Sequence, residues 1–263
     1  MNLHLQGKVA MVAAASKGLG FGIAQALARE GAAVSIASRT AADIEAAARH
    51  LQHQTGSPAL GTVFNATDPQ SILNWATATV DRFGGVDCLV VNAGGPPAGN
   101  FDDFTDDDWQ AAFELTLLSA ARMIRAALPH MRRRGGGSIL TITSSSVKEP
   151  IDILLLSNVM RSGVTSLVKS LSRQLAPEGI RVNNLVPGRI ETDRLKALDE
   201  VWAQKKGISV AEQRAEITGN IPLGRYGAIE EFGRAGAFLL SDAAAYVTGE
   251  TFVVDGGAMR TVW

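Results

Sequence analysis

Short apolar runs recur along the chain, and each is followed by a longer stretch with helical spacing. Val9-Ala10-Met11-Val12-Ala13 opens the series. Ala33 to Ala37, Thr62-Val63-Phe64, Cys88 to Val91, Ser138 to Ile142, Arg181 to Leu185 and Thr251 to Val254 continue it. Continuous apolar runs suit strands that are buried on both faces. Between them the pattern predicts helices over Gly18 to Arg29, stopped by Gly31, over Ala41 to Gln54, and over Pro69 to Arg82 with proline at its start. Longer helices are predicted over Asp106 to Met131 and Leu155 to Leu175. Strands alternating with helices predict an α/β fold, a doubly wound parallel sheet with helices on both faces. A chain of 263 residues suits one such domain, 1–263. Its longest irregular stretch, 188–227, carries two short helical patterns, Asp193 to Ala203 and Val210 to Ile217.

Composition adds mostly exclusions. The chain is 46% hydrophobic and 19% charged, enough apolar material for a sizeable core. A net charge of -1 gives no argument for a nucleic-acid or membrane-surface partner. Arg132-Arg133-Arg134 ends a predicted helix, where cations compensate the helix dipole. Cys88 is the one cysteine and reads as a small hydrophobe in a strand. No apolar run reaches the length of a membrane span, and the N-terminus has no signal-peptide pattern. The expectation is a soluble, cytoplasmic protein. His50 and His53 lie on an Ala-rich pattern without carboxylate or cysteine partners, so no metal is assigned. Asp106-Asp107-Asp108 after Thr105 reads as a helix start.

The first strand runs into Ala13-Ala14-Ala15-Ser16-Lys17-Gly18-Leu19-Gly20. A glycine-rich turn before a helix lets backbone approach a pyrophosphate, which the helix N–H groups then bind. Asn92-Ala93-Gly94 follows the fourth strand, and Pro187-Gly188 with Ile190 and Thr192 follows the sixth. Gly249 and Asp255-Gly256-Gly257 close the chain. Together these motifs resemble the short-chain dehydrogenase/reductase family over essentially the whole length, most closely its 3-oxoacyl-(acyl carrier protein) reductase-like members. The resemblance implies a Rossmann fold with a seven-stranded sheet and a nicotinamide cofactor. It implies cofactor contacts from Ala14, Ser16, Lys17, Gly18, Leu19 and Gly20, from Asn92, Ala93 and Gly94, and from Pro187, Gly188, Ile190 and Thr192. Ala13 and Ala14 replace the family's Thr and first Gly.

The second strand ends in Ser38-Arg39-Thr40, with no carboxylate before Asp43 to take a ribose 2′-hydroxyl. Arg39 offers a planar fork for a 2′-phosphate and Lys17 a second charge, so NADP(H) is the expected cofactor. Asn65 and Ala66 fall at the family's adenine position.

The family's reductases use Asn, Ser, Tyr and Lys. Aligned through Gly163-Val164, Ser157 falls at the Tyr position and Arg161 at the Lys position. Thr116 falls at the Asn position, and Ser144 keeps the family's serine, thirteen residues before Ser157. A phenol titrates near ~10, whereas an aliphatic hydroxyl is a far weaker acid. Arg161 cannot give up its proton near neutrality but can bond ribose hydroxyls or stabilise an oxyanion. Lys148 reads as a solvated loop lysine or a partner of Glu149.

Two readings follow. One is an NADP(H)-dependent oxidoreductase acting on a small-molecule carbonyl or alcohol, with altered proton transfer. The other is a nucleotide-binding relative with little reductase activity, serving as a sensor or partner subunit. Leu195, Leu198, Val201, Trp202 and Ile208 suggest an apolar lid. The resemblance also implies a homotetramer or homodimer that pairs the two long helices. Ala111, Ala112, Ser119, Ser162 and Ser166 are small enough for close packing there.

Overall fold

A computed structural model describes residues 2–262. Strands β1 (Val9–Ala13), β2 (Ala33–Ser38), β3 (Ala59–Val63), β4 (Cys88–Val91), β5 (Gly137–Ile142), β6 (Ile180–Pro187) and β7 (Thr251–Val254) form one sheet. Their order is β3-β2-β1-β4-β5-β6-β7, and every pairing is parallel. The order reverses between β1 and β4, which opens a crevice at their carboxyl ends.

Alternate residues of β1, β2, β4, β5 and β6 feed two cores. Ala10 and Val12 face a cluster holding Ile23, Leu27, Ile44, Leu51 and Phe232. These come from α1 (Gly18–Arg29), α2 (Ala41–Thr55) and α9 (Ile229–Leu240). Met11 and Ala13 face the other cluster, with Ile72, Trp75, Met123, Val164 and Val168. Those come from α3 (Pro69–Phe83), α5 (Ser119–Arg133) and α6 (Leu155–Leu175). Cys88 is free and buried, and burial pushes its thiol up to about 12.

The apolar pattern misses α9, and close packing explains why. A Cβ on Gly233 would stand 2.3 Å from the Gly22 carbonyl oxygen of α1, and one on Gly236 2.7 Å from Ile23 Cγ1. Glycine is required at both crossings, and glycines inside a helix weaken its signal. Strand β3 starts earlier than its β-branched residues suggest, because it runs through Gly61. A Cβ there would meet the Ile44 carbonyl oxygen at 2.7 Å.

The helix expected over Asp106 to Met131 is continuous but passes through a π turn. It consists of α4 (Asp106–Ala112), a π segment (Phe113–Leu118) and α5. Thr105 and Asp108 form a capping box that starts α4. The arginines at the end of α5 do more than offset a dipole. Arg134 donates to Asp87 from Nε at 3.1 Å and Nη2 at 3.0 Å, and Arg132 pairs with Glu178. Asp87 Oδ2 also accepts from the Val9 N–H at 2.8 Å, which ties α5 to the starts of β1 and β4.

Stretch 188–227 is closed at its base by a bridge between Ile190 and Gly227. It carries α7 (Asp193–Lys206) and α8 (Val210–Thr218). Tyr226 Oη donates to buried Asp199 Oδ2 at 3.0 Å and packs with Leu195 and Ile221. Leu195 therefore packs inward as core, while Leu198 and Val201 are exposed. Among the described residues no helix is long and apolar enough to cross a membrane.

Candidate active site

The glycine turn joins β1 to α1 at the crevice. Ala14 takes the left-handed backbone at φ 49°, as does Gly18 at φ 66°. Lys17 starts α1 without a side-chain cap, so the first N–H groups of the helix meet no local side-chain acceptor. A Cβ on Gly20 would stand 2.7 Å from the Ala14 carbonyl oxygen and 3.1 Å from Asn92 Nδ2. Asn92 Nδ2 itself donates to that oxygen at 3.4 Å, so the loop after β4 braces the turn. Ala93 is half-buried beside it, and Gly94 is exposed with open space where a Cβ would go.

The segment after β6 leans onto the same turn. A Cβ on Gly188 would collide with Asp255, 2.4 Å from its Cβ, which packs the Asp255-Gly256-Gly257 segment behind Pro187 and Gly188. Ile190 is buried, and Thr192 Oγ1 accepts from the Leu195 N–H at 3.3 Å to cap α7. Thr192 Cγ2 lies 3.8 Å from where a Gly18 Cβ would be, and Lys17 Nζ lies 3.9 Å from Asp193 Oδ2. The start of α7 therefore covers the start of α1.

At the end of β2, Ser38 Oγ is buried without a protein partner, and Arg39 is exposed. A groove of about 430 Å³ runs between α1 and α2, lined by Ser16, Lys17, Phe21, Asp43, Ala47 and His50. Leu19 packs on the core beneath it. Asn65 Oδ1 accepts from the Thr67 N–H at 3.2 Å and from Thr67 Oγ1 at 3.0 Å, shaping the loop that buries Ala66. The residues fit a phosphate-bearing dinucleotide. A glycine backbone, uncapped N–H groups and an orphaned hydroxyl line one continuous edge.

The second half of the site lies at the end of β5. Ser144 Oγ accepts from the Ser146 N–H at 3.2 Å and starts a short turn over Ser145–Val147, packed against α6. Ser157 and Arg161 sit one turn apart on α6. Arg161 Nε donates to Ser157 Oγ at 3.2 Å, and its Nη1 donates to the Ile142 carbonyl at 3.2 Å. Ser157 is buried. Thr116 lies in the π segment with Oγ1 buried and unpartnered. It shares a cavity of about 10 Å³ with Asn92, Ser119, Ile142 and Arg161. That is roughly the room of one water molecule. A π turn re-aims the helix backbone, and such turns often mark working sites.

Charge in this half is positive. Burial, and then the nearby Arg194 cation, bring the Arg161 guanidinium down to about 10. Both side chains reach Gly95: a Cβ there would lie 3.5 Å from Arg194 Nη2 and 3.6 Å from Arg161 Nη2. Lys148 is half-buried and makes no ion pair with Glu149 among the described residues. Glu149 Oε1 instead accepts from the Arg260 N–H at 2.8 Å.

Comparison with known proteins decides the family. A family model described as Enoyl-(Acyl carrier protein) reductase matches residues 13–259. The 3-oxoacyl-[acyl-carrier-protein] reductase of Vibrio cholerae is 37% identical over 257 residues, 97% of this chain and 98% of that protein. The chain belongs to the short-chain dehydrogenase/reductase family. Among solved structures, L-sorbose reductase from Gluconobacter frateurii, complexed with NADPH and L-sorbose, has a TM-score of 0.95 at 29% identity and covers 100% of both chains. An NADPH-bound short chain oxidoreductase from Pseudomonas aeruginosa, described as containing an atypical catalytic center, has a TM-score of 0.88 at 30% identity, covering 98% of this chain and 99% of that one.

This short-chain dehydrogenase/reductase also has a candidate site residue that pattern reading passes over, Arg194. One signal was available: Arg194 is the second residue of α7, where the helix dipole disfavours a cation. A cation placed against the dipole points to some other use for it.

Proposed function

We propose that the protein is an NADP(H)-dependent oxidoreductase that transfers hydride between nicotinamide and a small-molecule carbonyl or secondary alcohol. The observation that carries this reading is the Ser157–Arg161 hydrogen bond, whose arginine shares a small cavity with Asn92 and Thr116 beside the proposed nucleotide-binding loops. The two solved relatives above both hold NADPH, which supports the choice of cofactor.

Ala14, Ser16, Lys17, Gly18, Leu19 and Gly20 would hold the pyrophosphate, with Ser38 and Arg39 at a 2′-phosphate and Asn65 and Ala66 at the adenine. Asn92, Ala93, Gly94, Pro187, Gly188, Ile190 and Thr192 would line the ribose and nicotinamide. When bound, NADPH supplies the hydride. Ser144 orients the substrate oxygen. Ser157 Oγ takes the Arg161 N–H, so its own proton is free to pass to that oxygen. The Arg161 cation stabilises negative charge on either oxygen as the proton moves. Water returns the proton to Ser157, and Thr116 Oγ1 is the group that would hold such a water. A serine is a far weaker acid than a phenol, so this route is slower than the family's usual one.

We place the protein in the cytoplasm as one domain, assembled as a homotetramer or homodimer. Ala111, Ser162 and Ser166 are exposed on the helices that would pair. Ala112 and Ser119 face the interior and cannot take part. The test is NADPH oxidation against a panel of ketones and β-ketoacyl thioesters, beside an NADPH-binding titration. Turnover with stoichiometric alcohol supports the oxidoreductase. Tight binding with no turnover supports a nucleotide sensor or partner subunit.

A further inference from the structure

We propose that Arg161 and Arg194 together receive an anionic group of the substrate, a carboxylate, which makes Arg194 a specificity-determining residue. The inference rests on the oxidoreductase reading for the word substrate, but the anion site itself stands on geometry. One guanidinium comes from α6 and the other from the first turn of α7, and both reach the same point above Gly95. Among the described residues neither makes an ion pair. The carboxylates nearest Arg194 in sequence are engaged elsewhere: Asp193 with Lys17, and Glu191 with Arg214 at 2.8 Å.

Arg161 is half-buried and Arg194 exposed, and two like charges brought to one point repel each other unless an anion lies between them. Arg194 also sits at the positive end of its helix, which adds to the cost. Arg161 spends Nε on Ser157 and Nη1 on the Ile142 carbonyl, and Nη2 remains for a ligand. A side chain at position 95 would fill the space between the two forks, and glycine leaves it open. Paired guanidinium forks match the planar oxygens of a carboxylate.

A cofactor phosphate is the competing source of anion. The phosphate turn meets α7 at Thr192 and Asp193, and it has the α1 N–H groups as its own donors. The Arg161–Arg194 pair lies instead beside Ser157, on the Gly95 side. The substrate carboxylate is therefore the better occupant.

The test is calorimetric titration of the full-length protein, saturated with NADP⁺, with 4-oxohexanoate, 5-oxohexanoate and their methyl esters. At least one acid should bind about tenfold tighter than its ester, the effect of one charge-assisted hydrogen bond. Arg194→Gln should erase that preference and leave NADP⁺ affinity unchanged, and Arg194→Lys should restore part of it. Equal binding of acid and ester by the parent protein overturns the inference. So does an Arg194→Gln variant that loses NADP⁺ affinity by the same factor, since the pair would then read the cofactor. Selective acid binding without NADPH oxidation by any of these ketones would keep the anion site and overturn the oxidoreductase reading.

Discussion

Arg161 Nε donates to Ser157 Oγ across 3.2 Å, one helical turn along α6. The bond fixes the serine oxygen as an acceptor and, in the proposed reaction, leaves its proton for the substrate. Ser157→Ala should lower turnover by about 10²–10⁴-fold, the usual worth of a positioned proton donor, with little change in NADPH affinity. Arg161→Ala should lower both, since in the proposed site its guanidinium also bonds the nicotinamide ribose. Steady-state kinetics with a parallel NADPH titration reads the split. If Ser157→Ala turns over at the parental rate, Ser157 is not the donor.

Restoring the family's acid is the complementary change. Ser157→Tyr with Arg161→Lys should raise ketone reduction by a similar ~10²–10⁴-fold if proton transfer limits the native rate. Ser157 is 6% exposed, so the tyrosine must open towards the cleft to fit. A folded double variant that binds NADPH but reduces ketones no faster would mean that the site was rebuilt for other chemistry or that Thr116 is the missing part.

Arg39 is exposed, and no carboxylate stands at the end of β2. Arg39→Ala should weaken NADPH binding by about 1.5–3 kcal/mol, the range for a hydrogen bond to a charged group, and leave NADH binding nearly unchanged. Fluorescence titration of both cofactors checks this. Equal losses would show that Arg39 does not read a 2′-phosphate.

Ala14 holds φ 49°, a backbone that costs a residue with a Cβ about 1–2 kcal/mol. Glycine would remove that cost, less the ~0.4–1 kcal/mol by which it loosens the unfolded chain. Ala14→Gly should therefore raise the unfolding free energy by up to about 1.6 kcal/mol in urea melts. Gly233→Ala should do the opposite. Its Cβ would meet the Gly22 carbonyl oxygen at 2.3 Å, an overpacking that costs about 1–3 kcal/mol. An unchanged melt for Gly233→Ala would mean that α1 and α9 separate freely.

Hydrogen bonds from Arg225 and from the Ala228 N–H hold the Glu231 carboxyl down to about 2, from an ordinary value of 4.5. A depressed carboxylate stabilises the fold above its unfolded value and loses that contribution as pH falls towards the folded one. The stability difference between the parent and Glu231→Gln should be full above about pH 5 and vanish near pH 2. A difference that is constant across that range would show that Glu231 acts by packing alone.

The order of strands and helices was legible in the sequence because buried parallel strands are continuously apolar and their helices carry strong stop signals. Gly31, Gly56 and Gly84 each sit just past a helix end with positive φ. The glycine turn after β1 was legible for a similar reason: left-handed backbone and close approach favour glycine, so Gly18 and Gly20 announce themselves. Helix α9 was hidden because its glycines serve a crossing with α1, a contact between segments about two hundred residues apart. The π segment at Thr116 was hidden because a shift in helical hydrogen bonding has no residue signature. The meeting of Arg161 with Arg194 belongs wholly to tertiary structure. Local pattern records which face of a helix is apolar, but only the packing of α6 and α7 around the same loop sets two cations against one glycine.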